Sequence, residues 1–133
     1  MNDGKTKRLV KYHLPALLYA GLIICLSSMP DLGKSRLAVL RVDKLLHFGE
    51  YAIFAVLIFR SFSNISSHLG AKYVIYLSLL FIAFFALFDE LYQGYVIGRE
   101  SDALDLLFDI LGATLIIVLM YIRGKHHRDA GGS

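Results

Sequence analysis

At 133 residues, with 56% hydrophobic side chains, a mean hydropathy of +0.58 and a single cysteine, the chain is too apolar for an ordinary soluble domain and cannot form an internal disulfide. Its net charge of +3 is no nucleic-acid footprint, because the basic residues sit at segment ends and no basic patch is interleaved with stacking aromatics. An integral membrane protein is the expected class.

The first apolar stretch, YHLPALLYAGLIICLSSM over 12–29, is long enough at ~1.5 Å per residue to cross a hydrocarbon core. Lys5, Lys7, Arg8 and Lys11 precede it as they would precede a signal peptide. No small-x-small cleavage site follows, however, and Ile24 stands where a lipoprotein box needs a small residue before Cys25. The stretch is therefore expected to stay as a helix, with Cys25 an inert packing residue. Further spans are predicted over 45–62, 73–93 and 104–122, with the small, polar SFSNISSHLG as the turn between the second and third. The chain shows no internal repeat. It is expected to form one domain over 1–130, and the closing Gly131-Gly132-Ser133 reads as an appended remnant. The predicted fold is all-α, an integral membrane four-helix bundle.

Lysine and arginine orient it. One side, with both termini and the second loop, carries Lys5, Lys7, Arg8, Lys11, Arg60, Lys72, Arg123, Lys125 and Arg128. The other carries Lys34, Arg36, Arg41, Lys44 and Arg99, so both termini are expected in the cytoplasm.

Carboxylates gather at the opposite side. Asp43, His47 and Glu50 are spaced i, i+4, i+7, which confines them to roughly 60° of a helix. Asp102, Asp105 and Asp109 are spaced i, i+3, i+7, and Asp89 with Gln93 forms an i, i+4 pair beside Glu90. An ionised side chain at mid-membrane costs roughly 2.5 to 3.5 kcal/mol, so these stripes should face one another around an outward-facing acidic pocket with Asp102 at its mouth. Simpler roles stand beside this one. Asp43 and Asp102 also suit helix N-caps, and His47 suits a packed histidine bonded to a carboxylate. Arg99, flanked by Gly94 and Gly98, is the expected counter-ion for Asp102 or Asp89, or a clamp for a ligand phosphate or carboxylate. The oxygen-rich cluster could take a divalent cation such as Mg2+, Mn2+ or Ca2+ in preference to zinc, although it matches no recognised metal motif and no cofactor is required. Gly21 and the Gly112-Ala113 pair would permit close helix contact.

Two blocks, DKLLHFGEYAIFA and FDELYQGYVIGRESDALDLLFDILGA, resemble the VanZ-like bacterial membrane proteins over residues 43–113. The matching positions are Asp43, Lys44, His47, Phe48, Tyr51, Asp89, Glu90, Gln93, Gly98, Arg99, Asp102, Asp105, Gly112 and Ala113, while Val96 and Ile97 stand where the family usually has a proline. The resemblance implies a bacterial inner-membrane protein with a link to teicoplanin resistance. It supplies no reaction.

Three functions are compatible with these residues. One is a pocket for an amphiphilic envelope ligand, such as a lipid, a polyprenyl-linked cell-wall intermediate or a lipoglycopeptide antibiotic, lined by Asp43, His47, Glu50, Asp89, Glu90, Gln93, Arg99, Asp102, Asp105 and Asp109. The second is an enzyme acting on a lipid-linked substrate, with His47, Glu50 or Asp105 as general acid or base. No Ser or Cys adjoins the His block, which disfavours a nucleophilic triad. The third is a small proton-coupled transporter, which would also need polar groups deep in the cytoplasmic half.

Overall fold

A computed structural model of the chain describes residues 3–30, 36–65, 70–99 and 101–130. Lys34, residues 131–133, expected to be an appended remnant, and residues 66–69 of the expected turn lie outside the described residues. All regular structure among the described residues is helical: α1 (Asp3–Arg8), a π-helical segment (Leu9–His13), α2 (Leu14–Ser27), α3 (Arg36–Ile65), α4 (Ala71–Gln93) and α5 (Ala103–Ala130).

The first three follow one another without a break and make one rod. Pro15 explains the widened turn inside it. Proline brings no backbone N–H and its ring crowds the carbonyl one turn back. In the turn before it, the Leu14 N–H reaches five residues back to the Leu9 carbonyl, in π register. The basic residues from Lys5 to Lys11 are thus helical, and this rod ends at Ser27, short of the expected 29.

Two other helices are longer than their apolar stretches. The second begins at Arg36, not at 45, and the last continues to Ala130, past 122. Neither extension contains a proline, and α-helix continues through the charged residues there until a breaker or loop intervenes. Asp43 consequently lies two turns inside α3, which rules out its expected role as an N-cap. Four helical stretches, Gly4–Ser27, Val42–Ile65, Ala71–Gln93 and Ala103–His126, are long and apolar enough to cross a membrane.

Their packing centres on Phe54 of α3. Its ring meets those of Tyr19, Tyr51, Phe81 and Phe85 at centroid distances of 6.2, 6.0, 6.5 and 4.9 Å. Ile23, Ala55, Ile58, Ile82, Ala86, Ala113 and Ile117 complete the core from all four spans. Outside it, Leu17, Phe84 and Leu119 stand exposed, as suits side chains whose solvent is lipid. The tightest approach joins α3 to α5, where a Cβ added to Gly112 would overlap the carbonyl of Phe48.

The other two small-residue expectations on the first span fail. A Cβ on Gly21 would meet nothing within 4 Å, and Cys25 is exposed rather than packed. Both lie off the narrow stripe of Ala16, Ile23 and Ser27 by which α2 touches its neighbours.

Candidate functional site

The acidic stripes meet at one end of the bundle. From α3 come Asp43, Lys44, His47, Glu50 and Tyr51; from the end of α4 come Asp89, Glu90 and Gln93; from the start of α5 come Asp105 and Asp109, preceded by Asp102. Asp89, Glu90, Gln93, Asp105, Asp109 and His47 are all buried, and Asp43 and Glu50 are half-buried.

Lys44 ties α3 to α5. Its Nζ donates to Asp102 Oδ2 at 2.7 Å and to Asp105 Oδ1 at 2.6 Å. Asp102 also accepts the Leu104 N–H through Oδ1 at 2.8 Å and so caps α5, one of its two expected roles. The Lys44 hydrogen bond, followed by the Leu104 N–H, holds the Asp102 carboxyl below the usual carboxylate range. At 35% side-chain exposure it forms the rim of the cluster, whereas Asp105 at 6% lies within it.

One turn further along α3, His47 Nδ1 donates to Asp109 Oδ1 at 3.0 Å. Nε2 then faces Asp105 Oδ2 at 3.9 Å, beyond hydrogen-bond length. One ligand-type atom each from Asp43, His47 and Asp105 lies within 4.8 Å of the others, so this trio could hold a metal ion.

The α4 acids extend the network toward α2. Glu90 Oε1 accepts the Asp102 backbone N–H. Asp89 Oδ2 accepts Gln93 Nε2 at 3.1 Å and Tyr51 Oη at 3.5 Å, and the same Gln93 amide donates to Ser27 Oγ at 3.2 Å. Glu50 lies three residues beyond His47 on the same face of α3 and is half-buried. Glu50 Oε1, Asp89 Oδ1 and Glu90 Oε2 are buried with no hydrogen-bond partner among the described residues.

Arg99 makes neither expected ion pair, with Asp102 or with Asp89, among the described residues. Its Nη1 donates to the Leu26 carbonyl at 3.2 Å, pinning the loop to the end of α2, while Asp102 is taken by Lys44. The bend at Gly98, with φ of 85°, carries Arg99 toward α2. Nearby, Ser28 Oγ and Tyr92 Oη are 3.0 Å apart and join α2 to α4.

Lys44, Tyr51 and Ser27 were absent from the residues expected to line the site. The first two were findable: helical spacing puts Lys44 about 60° from His47, and Tyr51 follows His47 at i+4 on the same face. Ser27 carried no signal, because its partner lies 66 residues away in sequence. At the opposite end, a lipid-facing groove of about 520 Å³ separates the first span from α3, with His13 Nδ1 and Ser61 Oγ 2.7 Å apart in its lining.

Four apolar helices and this cluster define a multi-pass membrane protein whose acid and histidine side chains are buried together at one end of the bundle. The chain belongs to the VanZ/LLP1 family, whose model matches residues 6–124 and so takes in the entire cluster. No curated protein and no solved structure matched the chain.

Proposed function

We propose that this VanZ-family protein binds the polar head of an amphiphilic envelope ligand, such as a lipid, a cell-wall intermediate or a lipoglycopeptide antibiotic, and that its role is envelope maintenance or antibiotic resistance. The carrying observation is that three separate helices bury carboxylates around one lysine and one histidine at one end of the membrane-spanning bundle. Holding so many acids away from water is costly, and lipid alone gives no reason for it. The excess of nine basic residues over five favours both termini on the cytoplasmic side of a bacterial inner membrane, which opens the cluster outward. Arg99 and Lys44, at the rim, are the groups that would meet an anionic headgroup first.

Native mass spectrometry of the gently solubilised protein tests this, comparing wild type with Asp105→Asn and Arg99→Ala. A defined lipid adduct on wild type, lost in both variants, is the expected result. An identical lipid mixture on all three proteins would sink the binding reading and direct attention to ion flux.

A second reading, acid-base catalysis on a lipid-linked substrate, is favoured by the 3.0 Å contact between His47 and Asp109. A carboxylate that fixes the imidazole tautomer leaves the opposite nitrogen available to take a proton. His47, Glu50 and Asp105 are the candidates, and conversion of a lipid-linked substrate that His47→Gln abolishes would establish it.

A further inference from the structure

We infer that Asp43, His47 and Asp105 form a divalent-cation site within the acid cluster, between α3 and the start of α5. Three observations converge on it. The first is placement: the three ligand atoms lie within 4.8 Å of one another, drawn from two turns of α3 and the first turn of α5. Ligands sharing one ion sit about 3 to 3.5 Å apart, given bonds of roughly 2.0 to 2.2 Å, so ion entry closes the widest of these gaps by up to about 2 Å.

The second is the state of the histidine. Asp109, itself 1% exposed, takes up Nδ1, so Nε2 is the ring nitrogen left facing the carboxylates of Asp105 and Asp43. Nε2 and Asp105 Oδ2, 3.9 Å apart, are beyond hydrogen-bond length and exceed the spacing of two ligands on one ion by less than about 1 Å. Histidine ligands commonly donate their second ring N–H to a carboxylate in this way.

The third is unmet demand for positive charge. Asp89 and Glu90, 2% and 4% exposed, each keep one carboxylate oxygen with no hydrogen-bond partner in the same network. Against seven carboxylates stand Lys44, which already bonds Asp102 and Asp105 through Oδ2 and Oδ1, and Arg99, which bonds a carbonyl. Lys44 repels an incoming cation but leaves Asp105 Oδ2 free for it.

Two carboxylates and one imidazole suit Mn2+, which accepts nitrogen as well as oxygen ligands, better than Mg2+ or Ca2+, which are bound through oxygen. Three protein ligands leave coordination positions for water or for a phosphate oxygen. Assigning that place to a headgroup phosphate rests on the amphiphile reading; the ion itself does not.

The probe is Mn2+. The full chain in a non-ionic detergent, stripped with chelator, is titrated with MnCl2 while electron paramagnetic resonance reads the free ion. One saturable Mn2+ per chain is expected, with Kd raised at least tenfold in Asp43→Asn and in Asp105→Asn, and by about 10- to 100-fold in Asp109→Asn. Unsaturable binding, or the same affinity in Asp43→Asn and Asp105→Asn, overturns the site. Should those variants misfold, electron spin echo modulation on wild type decides. An imidazole nitrogen coupling that persists when His13, His68, His126 and His127 are all replaced by alanine supports the site, and its absence refutes it. Native mass spectra with and without EDTA separate the two proposals. Bound Mn2+ without a lipid adduct removes the amphiphile reading alone, and a lipid adduct indifferent to EDTA on a protein with no Mn2+ site removes the ion alone.

Discussion

Lys44 decides more of this structure than any other single side chain. It is 13% exposed and bonds two carboxylates from α5, one of them buried, so replacing it leaves Asp105 as an unpaired charge away from water. Lys44→Met is expected to lower stability by about 3 kcal/mol, measured by denaturant unfolding in detergent, and Lys44→Met with Asp105→Leu should recover part of that loss. Asp102 carries a separate, pH-dependent contribution. Its folded pKa is depressed, so the stability it adds is complete above the ordinary carboxylate value of about 4 and disappears as pH falls through the folded value. Melting temperatures across that acid range should fall for wild type, while Asp102→Asn starts lower at neutral pH and declines less steeply. Salt should weaken the effect, because Asp102 is partly exposed. Asp102 and Lys44 were both visible in the sequence. Their pairing was not, since 58 residues separate them and Arg99 offered a nearer cation.

Between elements, two glycines make opposite predictions. Gly112 lets α5 lie against the Phe48 carbonyl of α3, the contact that also aligns Asp105 and Asp109 with His47. Gly112→Ala forces those backbones apart and should cost roughly 1 to 3 kcal/mol in the same unfolding assay. Gly21 faces open space, so Gly21→Ala meets no neighbour and should leave stability unchanged or raise it by up to about 1 kcal/mol through helix propensity. The sequence shows two helical glycines of similar setting and does not distinguish them. It locates four apolar stretches close to the candidate spans, while α3 begins before its stretch and α5 ends after its own. Apolarity reports where lipid is, while the helix extends wherever backbone hydrogen bonds can continue. The N-cap expected at Asp43 failed for the same reason, and the cap at Asp102 held because a loop does precede it.

At the scale of the whole molecule, the described residues hold four helices long and apolar enough to span, and an even number of crossings would return the chain to the side it started from. Reporter fusions at the N-terminus and after Lys125 are expected to read the same side, the cytoplasm, and a cysteine introduced at Tyr95 should react with an impermeant thiol reagent from outside. Opposite readings at the two termini would refute the four-span arrangement. The sequence by itself determined the membrane class, the number of spans and the i, i+3, i+4 and i+7 stripes, because hydropathy and the 3.6-residue period act within one helix. Tertiary structure alone decided which stripe meets which: Lys44 with Asp102 and Asp105, His47 with Asp109, Gln93 with Ser27, Arg99 with a carbonyl on α2. Those pairings depend on the rotation and depth of one helix against another, and these are set by close approaches such as Gly112 on Phe48, which no single helix encodes.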